Sequence, residues 1–454
     1  NSYTRQTVED AWAGIGFPEN SNIVSLDQDE LKYIAWFEQQ ALLMQGRLDP
    51  SGVAASTLSK LYFFRDLVGR WLSVIEQNDI DLVVSPSVPH RVFDYALYVA
   101  CKLRAIKFIF FQLTPFGSNS IVIDDIENMP IVNSETSNNE LDKQIEQRIE
   151  KVLASYDKAI PEYMTAHAKN NNSILPGMKK LLTALTRNLN RESLYKFRKP
   201  NTYWYKPGFL PTEQNLGWLA YFKQKLSNKI KVRELEKTYS RLVTEKIDLN
   251  QPFVLIALHY QPEETSCPTG GSYADQLLII QMVDDLLPNE VKIVVKEHKS
   301  QFYADQEGAC GRDQMFYRRL ASLSDRVEFD SVDSDPFNLI DNALATITIS
   351  GTIGWESAIR GTPTLNFGRA WYEGMPRTYR IRNKQDFIDA VKIAQTEKGV
   401  NLHSEIKAFH SALQKSFIKS THYKSYVNKG DVSIEESIES LVNVVKNTVE
   451  MEKK

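Results

Sequence analysis

Short apolar segments alternate with amphipathic segments through the second half of the chain. The apolar segments are rich in Val, Ile and Leu, and polar or proline residues bound them. Strands that alternate with helices are typical of a parallel sheet with right-handed crossovers. The predicted strands are residues 253–258, 291–295, 327–329, 345–349 and 363–367, and the predicted helices are residues 273–287, 313–323, 336–342 and 354–360.

The first half of the chain contains a similar but shorter pattern. A strand at 80–84, a helix at 92–104 and a strand at 106–111 form a β-α-β unit, which predicts a second parallel sheet. Helices are also expected over 29–44 and 57–78, where apolar residues recur at helical spacing. We therefore predict an α/β protein with an N-terminal domain (1–123), a polar then basic helical linker (124–249), a C-terminal Rossmann-like domain (250–430) and a C-terminal helix (431–454).

The net charge of −3 hides a basic region. Residues 178–246 contain 16 Lys and Arg against 5 Asp and Glu, so this region carries +11 and the rest of the chain −14. A solvated helix face within a domain linker is one interpretation. Contact with an anionic membrane surface or an anionic glycan is another, because aromatic and apolar residues are interspersed with the charges. Nucleic acid is not expected as a partner, since the sequence has no recognition motif and the overall charge is negative.

Length and composition narrow the class of protein. The 454 residues suffice for two domains with full cores, and no apolar run reaches the ~18 residues of a membrane span. The three cysteines, at 101, 267 and 310, have no metal-binding spacing and suit a reducing compartment. We expect a cytoplasmic protein, with peripheral attachment to the inner face of the inner membrane as the alternative.

Polar motifs follow four of the predicted strands. They are His259–Glu264, Lys296–His298, Ser350–Glu356 and Gly368. In an open parallel α/β sheet, ligands bind at the carboxyl ends of the strands, so one cleft would collect these motifs. The pattern indicates an enzyme that acts on a phosphorylated, nucleotide-like substrate.

The motif that begins at Ser350 opens a predicted helix, whose free N–H groups and positive dipole end suit a phosphate. Cationic or imidazole side chains after another strand would neutralise that phosphate, and a glutamate one turn into the helix would accept from ribose hydroxyls. Ordinary helix capping and structurally satisfied side chains are the alternatives. The candidate nucleotide-binding and phosphate-binding residues are Lys296, His298, Ser350, Gly351, Thr352 and Glu356.

Glu263 and Glu264 are the candidate nucleophile or general base, because a carboxylate at a strand end can attack an anomeric carbon. The alternative interpretation is that these glutamates are acidic residues at the start of a helix, beside a proline. His90 and Asp94 lie on the opposite wall and are candidates to orient or deprotonate an acceptor hydroxyl. Gln112, Gln261 and Tyr372 are candidate contacts for the substrate.

The sequence lacks the motifs of several large enzyme classes. It contains no P-loop, no Gly-x-Gly-x-x-Gly after a strand, no Gly-x-Ser-x-Gly and no His/Cys metal spacing. Asp333 and Asp335 have Asp-x-Asp spacing, but the following Pro336 makes a helix cap the better interpretation. A donor with a single phosphate, such as a CMP-sugar used without metal or cofactor, fits better than a metal-bound diphosphate.

Taken together, these motifs resemble the bacterial capsule polysaccharide synthesis family, which includes β-Kdo transferases that use CMP-Kdo. The segments that carry the resemblance are His259–Glu263, Val295–His298, Ser350–Glu356, Gly361–Gly368 and Trp371–Tyr372, with a weaker one at Pro89–Tyr95.

The resemblance implies a GT-B-like fold, with two Rossmann-type domains that face a cleft and the nucleotide sugar in the C-terminal domain. It implies that His298, Ser350 and Thr352 hold the CMP phosphate, and that Glu263 or Glu264 stands where retaining members carry a nucleophilic Asp. The acceptor would be a glycan or lipid-linked glycan of capsule, O-antigen or lipopolysaccharide. A UDP-sugar transferase or epimerase of the same fold, and a non-catalytic capsule-assembly scaffold, remain as alternatives.

Overall fold

The computed structural model describes residues 5–19, 21–49, 51–128, 141–160, 205, 208, 218–303, 308–420 and 432–452, with the backbone alone for 218–222. Within these ranges the chain forms a six-stranded and a four-stranded sheet, each with helices packed on it.

The six-stranded sheet is parallel throughout. Its strands are β4 (Phe253–Ala257), β5 (Lys292–Lys296), β6 (Val327–Phe329), β7 (Ala345–Thr348), β8 (Thr364–Asn366) and β9 (Thr378–Arg380). They lie in the order β6-β5-β4-β7-β8-β9. Counted from β4, this is the 3-2-1-4-5-6 order of a Rossmann sheet, in which the switch point lies between the first and fourth strands. All residues of β4 and β7 are buried, as expected for a parallel sheet covered on both faces.

Side-chain caps fix several helix starts around this sheet. Asp335 accepts from the Phe337 N–H with Pro336 in the first turn, which confirms the sequence-based interpretation of the Asp-x-Asp spacing as a helix cap. The helices are Trp218–Ser240, Gln276–Leu286, Gln314–Ala321, Pro336–Asn342, Thr352–Arg360 and Lys384–Glu397. The first of these contains most of the described part of the basic region, and it buries Val232, Leu235 and Tyr239 in the core of the six-stranded sheet. Residues 178–217 of the basic region lie outside the described residues, apart from Tyr205 and Gly208.

The four-stranded sheet has the order β1-β2-β3-β10. β1 (Leu82–Ser85) and β2 (Lys107–Leu113) are parallel and joined by the helix Val92–Leu103, so the predicted β-α-β unit is confirmed. β3 (Asn119–Ile123) returns antiparallel to β2 after a short turn, because a turn of that length can only join antiparallel strands. The predicted GT-B-like α/β class is confirmed, but this N-terminal sheet is mixed rather than wholly parallel.

The remaining helices cover the first sheet or return to it. β10 (Ile418–Lys419) pairs with β3 although it follows the whole six-stranded sheet in sequence. The chain therefore crosses back to the first domain before its end, while the predicted domain limits stay predictions. The helices are Val8–Ala13, Gln28–Met44, Thr57–Gln77, Lys143–Ala154, Tyr156–Ala159, His403–Leu413 and Ile434–Glu452. None of the helices in the described ranges is long and apolar enough to cross a membrane.

An aromatic cluster joins the two domains. Phe116, in the turn between β2 and β3, is fully buried, with its ring centroid 5.5 Å from that of Trp355 and 5.4 Å from that of Trp371. The Trp355 indole N–H donates to His410 Nε2 at 2.9 Å, and His410 Nδ1 lies 2.7 Å from the Ile406 carbonyl oxygen. His410 is therefore a neutral imidazole with its proton on Nδ1.

The burial of His410 makes the free energy of unfolding depend on pH. Burial lowers the pKa of His410 to about 4. Between pH 6.5 and 4 this histidine is therefore protonated in the unfolded chain but stays neutral in the folded protein. The free energy of unfolding should therefore fall as the pH is lowered through this window, with about 1 kcal/mol lost from His410 between pH 7.5 and 5.5. His410→Gln, which cannot titrate, should lose less stability over the same step in urea unfolding. Equal losses of stability in the wild type and in His410→Gln would contradict the assignment of His410 as a buried, neutral imidazole.

Candidate functional site

A cavity of about 190 Å³ lies at the carboxyl ends of β5, β4 and β7, where the sheet has its switch point. The loops after these three strands supply most of its wall, and Tyr156 closes one side from outside the sheet. The lining includes His259, Glu263, Thr265, Lys296, His298, Lys299, Gly351, Thr352 and Glu356. Three of the four strand-end motifs therefore converge on one cavity, whereas Gly368, after β8, is not among the described residues that line it and packs against Ile349 and Thr269.

The helix Thr352–Arg360 begins at this cavity without a side-chain cap. Its first N–H groups, on Thr352 and Ile353, have no acceptor within the helix because of their position. Gly351 brings the backbone close to its neighbours: a Cβ there would lie 3.1 Å from Thr348 Oγ1 and 3.2 Å from His259 Nε2. The helix end is thus an anion site by geometry, with N–H donors and a positive dipole.

Ser350 and Tyr372 hold this loop from behind. The Ser350 hydroxyl donates to the Thr265 carbonyl oxygen at 2.7 Å, and Ser350 is not among the described residues that line the cavity. The Tyr372 hydroxyl donates to the Gly351 carbonyl oxygen at 2.8 Å, with its side chain fully buried. The structure therefore places both predicted ligand contacts as supports of the loop Ser350–Gly351 that precedes this helix, while Thr352 faces the cavity.

His298 follows β5 and lines the cavity as a neutral imidazole. Its Nδ1 accepts from the Ser300 N–H at 3.2 Å, so the ring proton is on Nε2. Burial lowers the pKa of His298 to about 4, which keeps the ring uncharged near neutral pH. His298 can donate one hydrogen bond to an anion without adding a full charge.

The two lysines of the cavity are already paired. Lys296 Nζ lies 2.7 Å from Asp330 Oδ2 and also donates to Ser331 and Ser334, while burial lowers its pKa. Lys299 Nζ lies 2.5 Å from Asp333 Oδ1. The structure brings Lys296 to the predicted site but directs its ammonium group to protein acceptors.

His259, at the end of β4, ties that strand to β7. Its Nε2 lies 2.8 Å from Thr348 Oγ1 and accepts from the N–H groups of Ile349 and Ser350, each at 3.2 Å. Burial lowers the pKa of His259 to about 3, with contributions from His298 and from Arg312. Sequence reasoning placed His259 in a motif but assigned it no role, and only the packing of the two strand ends reveals one.

Glu263 borders two cavities. It lines the main cavity, where its Oε2 accepts from the Thr265 hydroxyl at 3.0 Å, and it lines a smaller cavity of about 80 Å³ together with Arg47 and His90. Burial raises the pKa of Glu263, and the Thr265 hydrogen bond and the charge of Arg47 oppose that shift. Glu263 is therefore placed to act on a group that reaches either cavity.

Glu264 is directed toward the first domain. Its Oε2 lies 3.4 Å from His90 Nδ1, and it is not among the described residues that line the main cavity. Burial and the neighbouring Glu263 raise the pKa of Glu264 to about 7. The structure thus separates the two candidate carboxylates, with Glu263 at the cavity and Glu264 in contact with His90.

Asp94 and Gln112 are set back from the cavity. The Arg91 N–H donates to Asp94 Oδ1 at 2.7 Å, so Asp94 belongs to the capping box of its helix, and burial raises its pKa to about 7. Gln112 lies on β2 opposite Ile121 and is not among the described residues that line the main cavity. Of the predicted N-terminal residues, only His90 lies next to a candidate catalytic group.

A buried network fixes the loop after β4. Glu297 Oε2 accepts from Arg312 Nε at 3.2 Å and from the Tyr317 hydroxyl at 2.7 Å. Arg312 also donates to Gln261 Oε1 and to the His259 carbonyl oxygen, and Gln261 Nε2 donates to the Ala274 carbonyl oxygen. Gln261 therefore acts within the protein and borders the smaller cavity, away from the main one.

Glu356 is buried and paired rather than exposed. Arg148 Nη2 lies 2.8 Å from Glu356 Oε1, and Arg148 Nη1 donates to the Ala159 carbonyl oxygen at 2.6 Å. Burial raises the pKa of Glu356 to about 7, while Arg148 lowers it. Arg148 belongs to the helix Lys143–Ala154, in the polar part of the predicted linker (124–249), and no local sequence pattern there marked it.

The site combines an anion-binding helix end, a neutral imidazole donor and a carboxylate in one cavity. Such a set can hold a phosphate and place a carboxylate oxygen against a carbon bonded to that phosphate. Among the residues that the structure describes, no group of three or more His, Cys, Asp or Glu is arranged to hold a metal ion.

Comparison with known proteins gives similarity to solved structures only. No protein-family model and no curated protein matches the chain. It is similar to KpsC beta Kdo 2,7 transferase of Thermosulfurimonas dismutans, with 15% identity over 51% of this chain and 67% of that chain and a TM-score of 0.25. The KpsC beta Kdo 2,4 transferase of the same organism has 10% identity, 73% and 80% coverage and a TM-score of 0.29.

UDP-GlcNAc 2-epimerase of Methanocaldococcus jannaschii has 14% identity, 80% and 82% coverage and a TM-score of 0.27. These TM-scores are too low to carry an argument. The assignment of the fold class therefore rests on the strand order and pairing, and any proposal for the activity must rest on the residues of the site.

The Arg148–Glu356 pair generates a stability prediction. Arg148→Met leaves a buried carboxylate without its partner, so the free energy of unfolding at pH 8 should fall by about 3 kcal/mol. Adding Glu356→Gln should recover most of that loss, because the uncompensated charge is removed. Lys151→Met, at an exposed position of the same helix, is the matched control in urea unfolding. An equal decrease in the free energy of unfolding in Arg148→Met and in Lys151→Met would contradict the pairing of Arg148 with Glu356.

Proposed function

We propose that this chain is a glycosyltransferase that moves Kdo or a related 2-keto sugar acid from a CMP-sugar to a glycan or glycolipid acceptor. The observation that carries the proposal is that an open helix N-terminus and Glu263 share one cavity at the switch point of a Rossmann sheet. The first would bind the nucleotide phosphate, and the second would act on the sugar bonded to it. The motifs that resemble the capsule polysaccharide synthesis family support this sugar class.

The charge of the cavity supports a donor with one phosphate. Lys296 and Lys299 already pair with Asp330 and Asp333, so the phosphate would be held mainly by N–H dipoles and by His298. Dipoles suit the single negative charge of a CMP-sugar phosphodiester better than the larger charge of a diphosphate. We therefore propose CMP-sugar as the donor, with Thr352 and His298 at its phosphate and no metal requirement.

Glu263 is the proposed nucleophile. A carboxylate oxygen of Glu263 would bond to the anomeric carbon as the bond from that carbon to the phosphate oxygen breaks, and CMP would leave with the electron pair on its phosphate. An acceptor hydroxyl would then attack the same carbon, which releases Glu263 as a carboxylate. His90, beside the smaller cavity, is the proposed group on the acceptor side that takes the hydroxyl proton. Two displacements retain the anomeric configuration.

The cellular setting belongs to the same proposal. A CMP-sugar and a growing surface glycan meet in the cytoplasm, and a lipid-linked acceptor would bring the protein to the inner membrane face. The two rival functions are a UDP-sugar transferase or epimerase and a scaffold without nucleotide binding.

Nucleotide titration separates these functions. We expect CMP to bind more tightly than UDP or GDP in calorimetry, and His298→Ala to weaken CMP binding about 10-fold through loss of a hydrogen bond to the phosphate. His403→Ala, an exposed histidine on another helix, should bind CMP as the wild type does. Preference for UDP would favour the rival transferase or epimerase, and absence of binding to all three would favour the scaffold.

The two adjacent glutamates give a matched pair for the chemistry. Glu263→Gln should lower kcat for transfer from CMP-Kdo by about 1000-fold or more, because the amide is a poor nucleophile, while CMP binding is unchanged. Glu264→Gln should retain more than about a tenth of the wild-type kcat. Since burial raises the pKa of Glu263, wild-type activity should fall on the acid side at a higher pH than for an exposed glutamate. A larger loss in Glu264→Gln would transfer the nucleophile role to Glu264.

A further inference from the structure

A chain of hydrogen bonds leads from the sheet to the carboxylate of Glu263, and its direction follows from His259. Two backbone N–H groups, of Ile349 and Ser350, point at His259 Nε2 from 3.2 Å. A proton on that nitrogen would face both of them, so Nε2 must be the acceptor and the ring proton must be on Nδ1. The Thr348 hydroxyl, 2.8 Å from the same nitrogen, then donates to it, whereas an Nε2–H that donated to Thr348 would leave both backbone N–H groups facing a proton. The two backbone donors therefore select the tautomer with its proton on Nδ1.

The next two bonds take their direction from that tautomer. His259 Nδ1 lies 3.2 Å from Thr265 Oγ1, so its N–H donates to the hydroxyl oxygen. The Thr265 hydroxyl then has its own proton for Glu263 Oε2, at 3.0 Å. Each group thus donates toward the carboxylate, and the hydroxyl proton is not shared with the imidazole.

Thr265 is also fixed through its backbone. Its carbonyl oxygen accepts from the Ser350 hydroxyl at 2.7 Å, and Ser350 directly precedes the N-cap residue of the helix at the cavity. The same residue therefore touches the carboxylate with its side chain and the loop Ser350–Gly351 with its backbone. Thr265 therefore fixes the distance between the Glu263 carboxylate and the start of the helix at the cavity.

We propose that Thr265 is a positioning residue that holds Oε2 of Glu263 and leaves Oε1 as the oxygen that attacks the anomeric carbon. This inference rests on the proposed function. Without such a hydrogen bond, rotation of the carboxylate exchanges the positions of its two oxygens. The oxygen that attacks the anomeric carbon is then less well oriented. Orientation of this kind contributes to kcat more than to substrate binding, since it matters most in the transition state.

The kinetic test compares Thr265→Val with Thr265→Ser, using CMP-Kdo as donor. Valine keeps the shape and removes the hydroxyl, so kcat should fall about 10-fold to 100-fold with KM for the donor changed less than about threefold. The acid limb of the kcat profile should move to higher pH, because a bond to the ionised carboxylate is lost. Serine should restore both. Wild-type kcat and pH profile in the valine variant, or equal damage in both variants, would overturn the proposal.

A second measurement needs no substrate. Nitrogen-15 NMR of imidazole-labelled protein, with His259→Asn for assignment, should show Nδ1 protonated and Nε2 unprotonated at pH 7. Carbon-13 NMR of labelled glutamates, assigned with Glu263→Gln, should show a higher pKa for Glu263 in Thr265→Val than in wild type or Thr265→Ser. The opposite tautomer or an unchanged pKa would overturn the proposal. If both signals are as expected but CMP-Kdo supports no transfer, the proposed function fails while the hydrogen-bond chain stands.

Discussion

The arrangement of the site depends on one neutral imidazole. His259 accepts from the Thr348 hydroxyl and from two backbone N–H groups after β7, although it belongs to the end of β4. These bonds hold together the two strands that flank the switch point, where the sheet would otherwise splay into separate loops. A protonated ring could not accept them, and a pKa of about 3 keeps the ring unprotonated over the range in which proteins are stable.

Three ion pairs, each with one member at the cavity, hold its walls. Glu297 with Arg312, Lys296 with Asp330, and Arg148 with Glu356 are each buried and each make further hydrogen bonds. Desolvation offsets much of the attraction within such pairs, so their main effect is to define geometry. The lysines at the cavity are therefore already paired, and the donors left for an anion are the backbone N–H groups of the helix start and the His298 imidazole, which need little reorganisation when an anion arrives.

Five of the six strands of the C-terminal sheet were predictable because buried parallel strands have a local signal, whereas the short, half-buried strand β9 (Thr378–Arg380) was not predicted. Runs such as Phe253–Ala257 are continuously apolar, and polar or proline residues bound them in the sequence. The mixed first sheet was not, since β10 is a two-residue strand whose partner β3 lies far away in sequence. For the site, strand-end positions predicted that His298, Thr352 and Glu263 lie at one cavity, whereas the contacts of Arg148 with Glu356 and of Thr265 with Glu263 depend on packing that no sequence spacing encodes.

The return of the chain to the first sheet has a mechanical consequence. Phe116 and His410 contact Trp355 from the side of the first domain, and Trp355 belongs to the helix whose start faces the cavity. A close-packed ring cluster resists sliding, so the position of this helix is coupled to the first domain as well as to its own sheet. A displacement of the first domain at Phe116 would therefore be transmitted along a single short helix to the backbone N–H groups at the cavity.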